Sequence, residues 1–377
     1  MNALEPQPAL AIDRRLGGPT LSLIVPTFNE VANIEALLSR LDSALSEIPW
    51  EIVFVDDDST DGTADLVRSI SQRDGRVRCI QRIRRRGLSS ACIEGILATS
   101  APFVAVMDAD LQHDERVLPR MLQTLRTENL DIVVGSRYTA GGGVGDWQND
   151  RAAMSRFATK LSRLVVHADL KDPMSGFFML RRDVFMRTTR RLSSLGFKIL
   201  LDIFASAPAP LKFQEVPYEF RARYAGESKL DSVAMWDYGM LLLDKLIGHV
   251  IPVRFVMFSI VGVLGLGIHL VILATMINVV QTTFDLAQTT ATLVAMTGNF
   301  LLNNYLTYRD KRLRGARLIT GLLSFYAACG IGAVANIGAA SYVFQHHYSW
   351  WLSGIAGVAI GAVWNYAATS LFTWRNR

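Results

Sequence analysis

Asp108 and Asp110 stand one residue apart at the end of the apolar run Val104-Ala105-Val106-Met107, and Gln112 follows two positions later. Side chains two apart on an extended chain point the same way, so these three offer two carboxylates and a neutral oxygen to one side. Oxygen donors of this kind suit Mg²⁺ or Mn²⁺, ions that keep some waters and complete their shell with substrate phosphate. Taken alone, an Asp-x-Asp serves equally well as a helix cap. It gains meaning from the other nucleotide and phosphate features that accompany it in order.

Asp56-Asp57-Asp58 closes another apolar run, Ile52-Val53-Phe54-Val55. An acidic residue there can take hydrogen bonds from a base or a ribose, while Asp58 and Asp61 suit turn and capping work. Asp57-x-Ser59-x-Asp61-Gly62 imitates a calcium loop, but its twelfth position is Arg68, which excludes that reading. Candidate cations are Arg137 in Gly135-Ser136-Arg137-Tyr138, Lys198 in Gly196-Phe197-Lys198, and Arg221, Arg223 and Lys229 around Gly226. Arg and Lys flanking a glycine turn make a mobile clamp for phosphate oxygens. Arg82, Arg84, Arg85 and Arg86 read as a solvated basic loop.

The elements that must position these groups are strands and helices of an α/β domain. Leu21–Val25, Ile52–Val55, Val77–Ile80, Val104–Met107 and Asp131–Val134 read as buried strands. Helical stretches between them include one with Ile34, Leu37, Leu38 and Leu41 on a single face. In open sheets of this kind the ligand sits at the carboxyl ends of the strands. Val216–Phe220 reads as a last strand, and Asp172-Pro173-Met174-Ser175-Gly176-Phe177-Phe178 as a loop with exposed aromatics able to meet a lipid or a sugar. Gly141-Gly142-Gly143-Val144-Gly145 lacks the Gly-Lys-Ser/Thr of a phosphate loop, so a flap that orders on binding is the better expectation.

The remaining composition falls into two unlike halves. The chain has 377 residues, a net charge of +5 and three cysteines, Cys79, Cys92 and Cys329. Their spacing suits no metal, and they read as core thiols. No nucleic-acid motif stands out, and attraction to a membrane surface accounts for the basic excess. Residues 1–18 read as a flexible tail without a signal-peptide core. After Pro252 come four apolar spans, about Phe255–Val280, Ala287–Tyr308, Leu318–Phe344 and Trp351–Trp374, each near the roughly twenty residues a bilayer needs. Arg309, Lys311, Arg312, Arg314 and Arg317 sit between the second and third spans, which places that loop, both termini and the soluble domain in the cytoplasm. Ser232–Val250 reads as an amphipathic interfacial helix. Asn299, Asn303, Asn304, Asn336 and Asn365 suit helix-to-helix hydrogen bonding, and His346 and His347 lack the companions of a metal site.

In order along the chain, Pro26-Thr27-Phe28-Asn29-Glu30, Val55-Asp56-Asp57, Asp108-Ala109-Asp110-Leu111-Gln112-His113, Gly135-Ser136-Arg137-Tyr138, Asp172-Pro173-Met174-Ser175-Gly176-Phe177, Gly196-Phe197-Lys198 and Arg223 through Lys229 resemble the polyprenyl-phosphate glycosyltransferases of the GT-A, family 2 class. Within that class they look most like dolichol-phosphate mannose synthases. The later half, with Asn299-Phe300-Leu301-Leu302-Asn303-Asn304-Tyr305, resembles a GtrA-like four-helix membrane domain. The resemblance implies a GT-A α/β domain over 19–230 and an all-α transmembrane domain over 252–377, on either side of the interfacial helix taken as 231–251. It further implies that Pro26, Phe28, Glu30, Val55 and Asp57 hold the donor nucleotide. Asp108, Ala109, Asp110 and Gln112 would contact the sugar-nucleotide, with Asp108, Asp110 and Gln112 as metal ligands for Mg²⁺ or Mn²⁺. Arg137, Lys198, Arg223 and Lys229 would bind donor and acceptor phosphates, and Asp110, Arg137 and Lys198 would carry the chemistry. Phe28 replaces a frequent Tyr of the family and keeps only the aromatic face.

The activity expected is inverting, metal-dependent transfer of mannose from GDP-mannose to a polyprenyl phosphate on the cytoplasmic face of the cell (inner) membrane by a four-pass protein. Transfer of glucose from UDP-glucose to undecaprenyl phosphate stays open, since nothing near Val55 and Asp57 separates guanine from uracil. So does a lipid-linked sugar flippase loaded by the soluble domain. A processive polysaccharide synthase is disfavoured, because no Gln-x-x-Arg-Trp segment precedes the spans.

Overall fold

The computed structural model describes residues 17–83, 85–143, 161–166, 168–193, 198–221, 232–248, 251–346 and 349–375. The chain divides into two compact units, Met1–Leu246 and Ile247–Arg377. Arg84, Arg223 and Lys229, the Gly196-Phe197 pair and His347 fall outside the described residues.

The first unit is built on a seven-stranded sheet. Its strands are β1 (Leu21–Thr27), β2 (Trp50–Asp56), β3 (Val77–Gln81), β4 (Phe103–Val106), β5 (Ile132–Ser136), β6 (Phe178–Arg181) and β7 (Phe213–Pro217), in spatial order β3-β2-β1-β4-β6-β5-β7. Only β6 runs antiparallel to its neighbours, β4 and β5. This is the mostly parallel α/β GT-A architecture.

Both faces of the sheet are covered, which is why its strands are apolar without alternation. Leu21, Leu23, Val25, Ile52 and Phe54 pack with Ile34, Leu37 and Leu41 of α1 (Val31–Ala44), Val67 of α2 (Thr63–Ser71) and Leu122 of α4 (Leu118–Thr127). Ile24, Val53 and Val55 point the other way, toward Cys92 and Ile96 of α3 (Leu88–Leu97), Phe185 of α5 (Arg182–Thr188) and Leu200 and Ile203 of α6 (Ile199–Ser206). Register sets Thr27 opposite Asp56 and Ile24 opposite Val106, so the acidic ends of β2 and β4 emerge on either side of the end of β1.

Three local expectations are corrected. Phe177 and Phe178 are fully buried, because Phe178 opens β6 inside the sheet and Phe177 packs beneath the site. The last strand covers Phe213–Pro217, and Tyr218–Phe220 lies beyond it, bridged at Glu219 to Gly143. Arg82 is no solvated side chain: it is 4% exposed and pairs with Asp57 at 2.7 Å.

Helix α7 (Ser232–Ile247) packs Tyr238, Leu241 and Leu242 against Val166, Met174 and Leu201. Lys245 turns inward to Asp202 at 2.6 Å, a pair with side chains 10% and 0% exposed.

The second unit consists of α8 (Val253–Asn278), α9 (Phe284–Leu302), α10 (Ala316–Gln345) and α11 (Trp350–Ala368). Three described segments, Val253–Asn278, Ala316–Val343 and Ile355–Thr373, are long and apolar enough to cross a membrane. Helices α9 and α11 each continue through one π turn, Asn303–Thr307 and Thr369–Thr373. The two hairpins repeat one another: Asn299, Phe300, Asn303, Thr307, Tyr308 and Arg309 recur at the same spacing as Asn365, Tyr366, Thr369, Thr373, Trp374 and Arg375. The contacts repeat as well. Phe258 meets Tyr366 at 5.9 Å and its counterpart Phe325 meets Phe300 at 5.7 Å, while Tyr308 and Trp374 stack face to face at 4.1 Å. Gly265 leaves room for the Asn299 carboxamide, as Gly332 does for that of Asn365.

Candidate active site

The carboxyl edge of the sheet gathers most of the residues singled out from sequence, and the loop Asp172–Phe177 joins them. Asp172 binds Arg137, the Met174 carbonyl accepts from Lys198 Nζ at 3.2 Å, and a Cβ on Gly176 would lie 3.3 Å from Asp108 Oδ2. Phe177 stacks on His113, with ring centroids 5.1 Å apart and planes 11° from parallel. Turn-forming residues make this possible: Ser175 Oγ donates to the Gly135 carbonyl at 2.7 Å, tying the loop to the end of β5.

Asp108 lies two residues beyond the end of β4, and its side chain is 39% exposed. Asp110 is 7% exposed, and its Oδ1 accepts the Gln112 N–H at 3.2 Å. Between them Ala109 is buried, so anything it offers a ligand comes from its backbone; the same holds for Val55. The chain turns at Leu111, whose φ of 62° lies in the left-handed region. Gln112 is oriented by Arg221: its Nε2 donates to the Arg221 carbonyl at 3.0 Å, and Arg221 N–H returns a bond to the Gln112 carbonyl at 2.9 Å. The Arg221 guanidinium meanwhile grips Asp114 and Glu115 at 2.6 and 2.8 Å.

His113 is 2% exposed and surrounded by Phe177, Tyr218 and Phe220. Burial pushes its pKa down to about 4, so the imidazole is neutral near pH 7. The same burial holds the Tyr218 phenol well above its usual range.

Two cations stand across from the acidic residues. Arg137 makes a fork-to-fork pair with Asp172, Nε to Oδ2 at 2.8 Å and Nη2 to Oδ1 at 2.7 Å. That pairing raises its pKa although burial opposes it. Lys198 precedes α6; burial, seconded by the nearby Arg137 cation, lowers its ammonium to about 8. Asp202, one turn further, has its carboxylate held by Lys245, Ser193 and Ser206.

At the ends of β1 and β2 the acidic groups are engaged in building the edge. Asp57 Oδ1 pairs with Arg82 and Oδ2 accepts the Gly87 N–H at 2.7 Å; burial still raises its pKa overall. Gly87 has a φ of 143°, which a side chain would resist. Asp61 does turn and capping work, taking the N–H groups of Val31 and Thr63, and the Thr63 hydroxyl lowers its pKa although burial opposes this. Glu30 accepts from Asn33 Nδ2 at 2.7 Å, Arg86 lies 4.1 Å over the Phe28 ring, and Pro26 lies in β1.

Among the described residues, no group of three or more His, Cys, Asp or Glu gathers as a self-sufficient metal cage. Two carboxylates and an amide on one loop fit an ion that takes the rest of its shell from a diphosphate and water. They would not satisfy a structural zinc.

Sequence reasoning missed Asp172, His113, Gly176 and Tyr218. Asp172 and Gly176 carry the look of turn residues, and the roles of His113 and Tyr218 depend on partners distant in the chain.

The model of glycosyl transferase family 2 matches residues 22–189, and that of the GtrA/DPMS transmembrane domain matches residues 257–374. The chain is 37% identical over 320 residues to a dolichol-phosphate mannosyltransferase of Pyrococcus furiosus, covering 84% of this chain and 88% of that one. It is 36% identical over 270 residues to that of Mycosarcoma maydis (69% and 90% covered) and 36% over 226 residues to that of Saccharomyces cerevisiae (58% and 83% covered). A solved structure of glucosyl-3-phosphoglycerate synthase from Mycobacterium tuberculosis, with Mn²⁺, UDP and glucosyl-3-phosphoglycerate, is 21% identical, with a TM-score of 0.44 over 61% of this chain and 80% of that one.

Proposed function

Since this chain belongs to glycosyl transferase family 2 and, within it, to the dolichol-phosphate mannosyltransferases, we propose that it transfers mannose from GDP-mannose to a polyprenyl phosphate at the cytoplasmic face of the membrane. It is a glycosyltransferase and a membrane protein. The observation that carries the proposal is the facing of an acidic loop and a cationic pair across one sheet edge, joined through Asp172–Phe177.

In this reading Pro26, Phe28, Glu30 and the backbone around Val55 and Asp57 receive the nucleoside. Asp108, Asp110 and Gln112 would hold Mg²⁺ or Mn²⁺, which would supply positive charge for a diphosphate. Lys198 and Arg137 stabilise the phosphate oxygens; Arg137 reaches them from a fork fixed by Asp172. Arg223 and Lys229 follow Arg221, whose bonds to Gln112 tie the start of that basic segment to the acidic loop.

A lipid phosphate is already an anion near neutral pH, so its oxygen attacks the anomeric carbon without a general base. The new C1–O bond forms as the bond to the nucleoside diphosphate breaks, and the diphosphate leaves with the electron pair. One in-line displacement inverts an α-linked donor to a β-linked polyprenyl-phosphate mannose. The four helices of the second unit would hold the enzyme at the bilayer as a four-pass anchor, with α7 at its surface.

The deciding experiment is transfer of radiolabelled sugar from GDP-mannose and, in parallel, from UDP-glucose to a short polyprenyl phosphate in detergent, with Mg²⁺, with Mn²⁺ and with chelator. Metal-dependent mannolipid from GDP-mannose alone is expected. Glucolipid instead would replace the donor, and no product from either would refute the reading.

A further inference from the structure

We propose that His113 is a positioning residue for the acidic loop: its imidazole fixes the backbone of Asp108 and through it the place of the two carboxylates. The inference rests on the proposed role of Asp108, Asp110 and Gln112 in holding a divalent ion, and it names a residue to which that proposal gives no part.

The loop 108–113 is closed by two of its own side chains, those of His113 and Asp110. Asp108 N–H donates to His113 Nδ1 at 3.1 Å, and Gln112 N–H donates to Asp110 Oδ1 at 3.2 Å. A backbone donor that enters a sheet edge and finds no ladder partner must be satisfied elsewhere, and here a ring nitrogen does it. An accepting Nδ1 carries no proton, so the ring proton of the neutral imidazole sits on Nε2. That nitrogen lies 3.9 Å from Asp108 Oδ2, so one ring addresses both the backbone and the carboxylate of the same residue.

The ring itself has little freedom to move. Phe177 lies flat against one face, and Tyr218 and Phe220 meet it edge-on, each at 5.8 Å. Phe177 comes from the loop before β6 and the other two from the segment after β7. Three aromatic rings from two separate segments therefore set the position of one imidazole, and the imidazole sets Asp108. Gly176 completes the arrangement by leaving room for the carboxylate, since a methyl there would sit 3.3 Å from Oδ2 and 3.7 Å from the ring carbon Cε1. The left-handed turn at Leu111 would otherwise be the softest point of the loop, and closure by His113 is what makes it hold one geometry.

The test compares two substitutions that divide the ring's properties. His113→Phe keeps the stack on Phe177 and removes the acceptor. His113→Asn removes the stack and keeps an acceptor near the position of Nδ1. Full-length variants in detergent are titrated with Mn²⁺ in the presence of GDP, with bound ion read by electron paramagnetic resonance; kcat and the KM for lipid phosphate are measured alongside. The Phe variant is expected to bind Mn²⁺ about 10- to 100-fold more weakly, the usual scale for groups that orient metal ligands. Its kcat should fall in parallel with little change in the lipid KM, and the Asn variant should recover most of both losses. Wild-type Mn²⁺ binding and kcat in a folded Phe variant would overturn the inference, and so would equal losses in the two variants. Should the Phe variant not fold, the Asn variant decides alone: retained affinity supports the acceptor role, and lost affinity in a folded protein overturns it. Asp110→Ala run beside them separates the two ideas. If it too binds Mn²⁺ like the wild type, the metal reading fails, and the kcat of the Phe and Asn variants still decides for His113.

Discussion

Lys198 makes the proposed mechanism measurable through pH. Its ammonium is held at about 8 in the free protein by burial and by Arg137. If the charged form is the one that receives a diphosphate, the protonated fraction controls kcat/KM, which reports the free enzyme. That fraction is about nine-tenths at pH 7 and about one-tenth at pH 9, so kcat/KM should fall roughly tenfold between them. With diphosphate bound, the added negative charge favours the ammonium, so the alkaline limb of kcat should lie at higher pH than that of kcat/KM. Lys198→Arg cannot lose its proton in this range, so its rate, whatever its level, should lack the limb. Stability should move in the opposite sense. A folded pKa below the unfolded one penalises the charged form, so the fold is weakest below about 8 and gains stability as pH rises toward the unfolded value of 10.5. Lys198→Met should therefore be more stable than the wild type at pH 7, by at most about 3 kcal/mol, less whatever solvent screens at this part-buried site. Initial-rate assays of mannolipid formation from pH 6.5 to 9.5, with melting curves over the same range, test both halves. A flat kcat/KM in the wild type, or an unchanged limb in Lys198→Arg, would refute the assignment.

Asp110→Ala should lower transfer by at least about 100-fold with an unchanged melting temperature, as expected for loss of a metal ligand; near-normal turnover would remove Asp110 from the metal site. Asp172→Asn leaves the Arg137 guanidinium buried without its counter-charge, and denaturant unfolding of the variant should show a loss of about 3–5 kcal/mol. In the second unit, Gly265→Ala drives a methyl into the Asn299 carboxamide and should destabilise by about 1–3 kcal/mol. Adding Asn299→Ala should restore part of that loss; thermal unfolding in detergent that finds the two changes additive would break the argument.

Much of the sheet could be read from the chain because its parallel strands are buried on both faces and therefore appear as uninterrupted apolar runs. The antiparallel β6 could not. Phe177 and Phe178 follow Pro173, Ser175 and Gly176, and a turn-rich prelude makes aromatics look exposed when the turn in fact inserts them into the core. The acidic loop was legible because Asp108, Asp110 and Gln112 end an apolar run in the company of the other strand-end acidic and basic groups. What stabilises it was not, since the value of His113 lies in contacts with Phe177 and Tyr218, far away in sequence. Lys245 is a related case: its buried partner Asp202 is visible only once the helices are packed. The repeat in the second unit was present in the letters but hidden, because hydropathy reports how long a span is and says nothing of which of its residues recur.

That repeat gives the membrane unit an experimental property of its own. Tyr308 and Trp374 occupy the same place in the two hairpins and rest on one another, as do the exchanged pairs Phe258 with Tyr366 and Phe325 with Phe300. A substitution in one hairpin thus comes with a matched control in the other, in the same chain and the same bilayer environment. Where the two copies respond alike, the residue serves architecture common to both; where only one responds, that copy has taken on a duty its twin does not share. The first place to look is Thr373, which bonds Ser324 at 3.0 Å, while its counterpart Thr307 has a hydroxyl with no hydrogen-bond partner among the described residues.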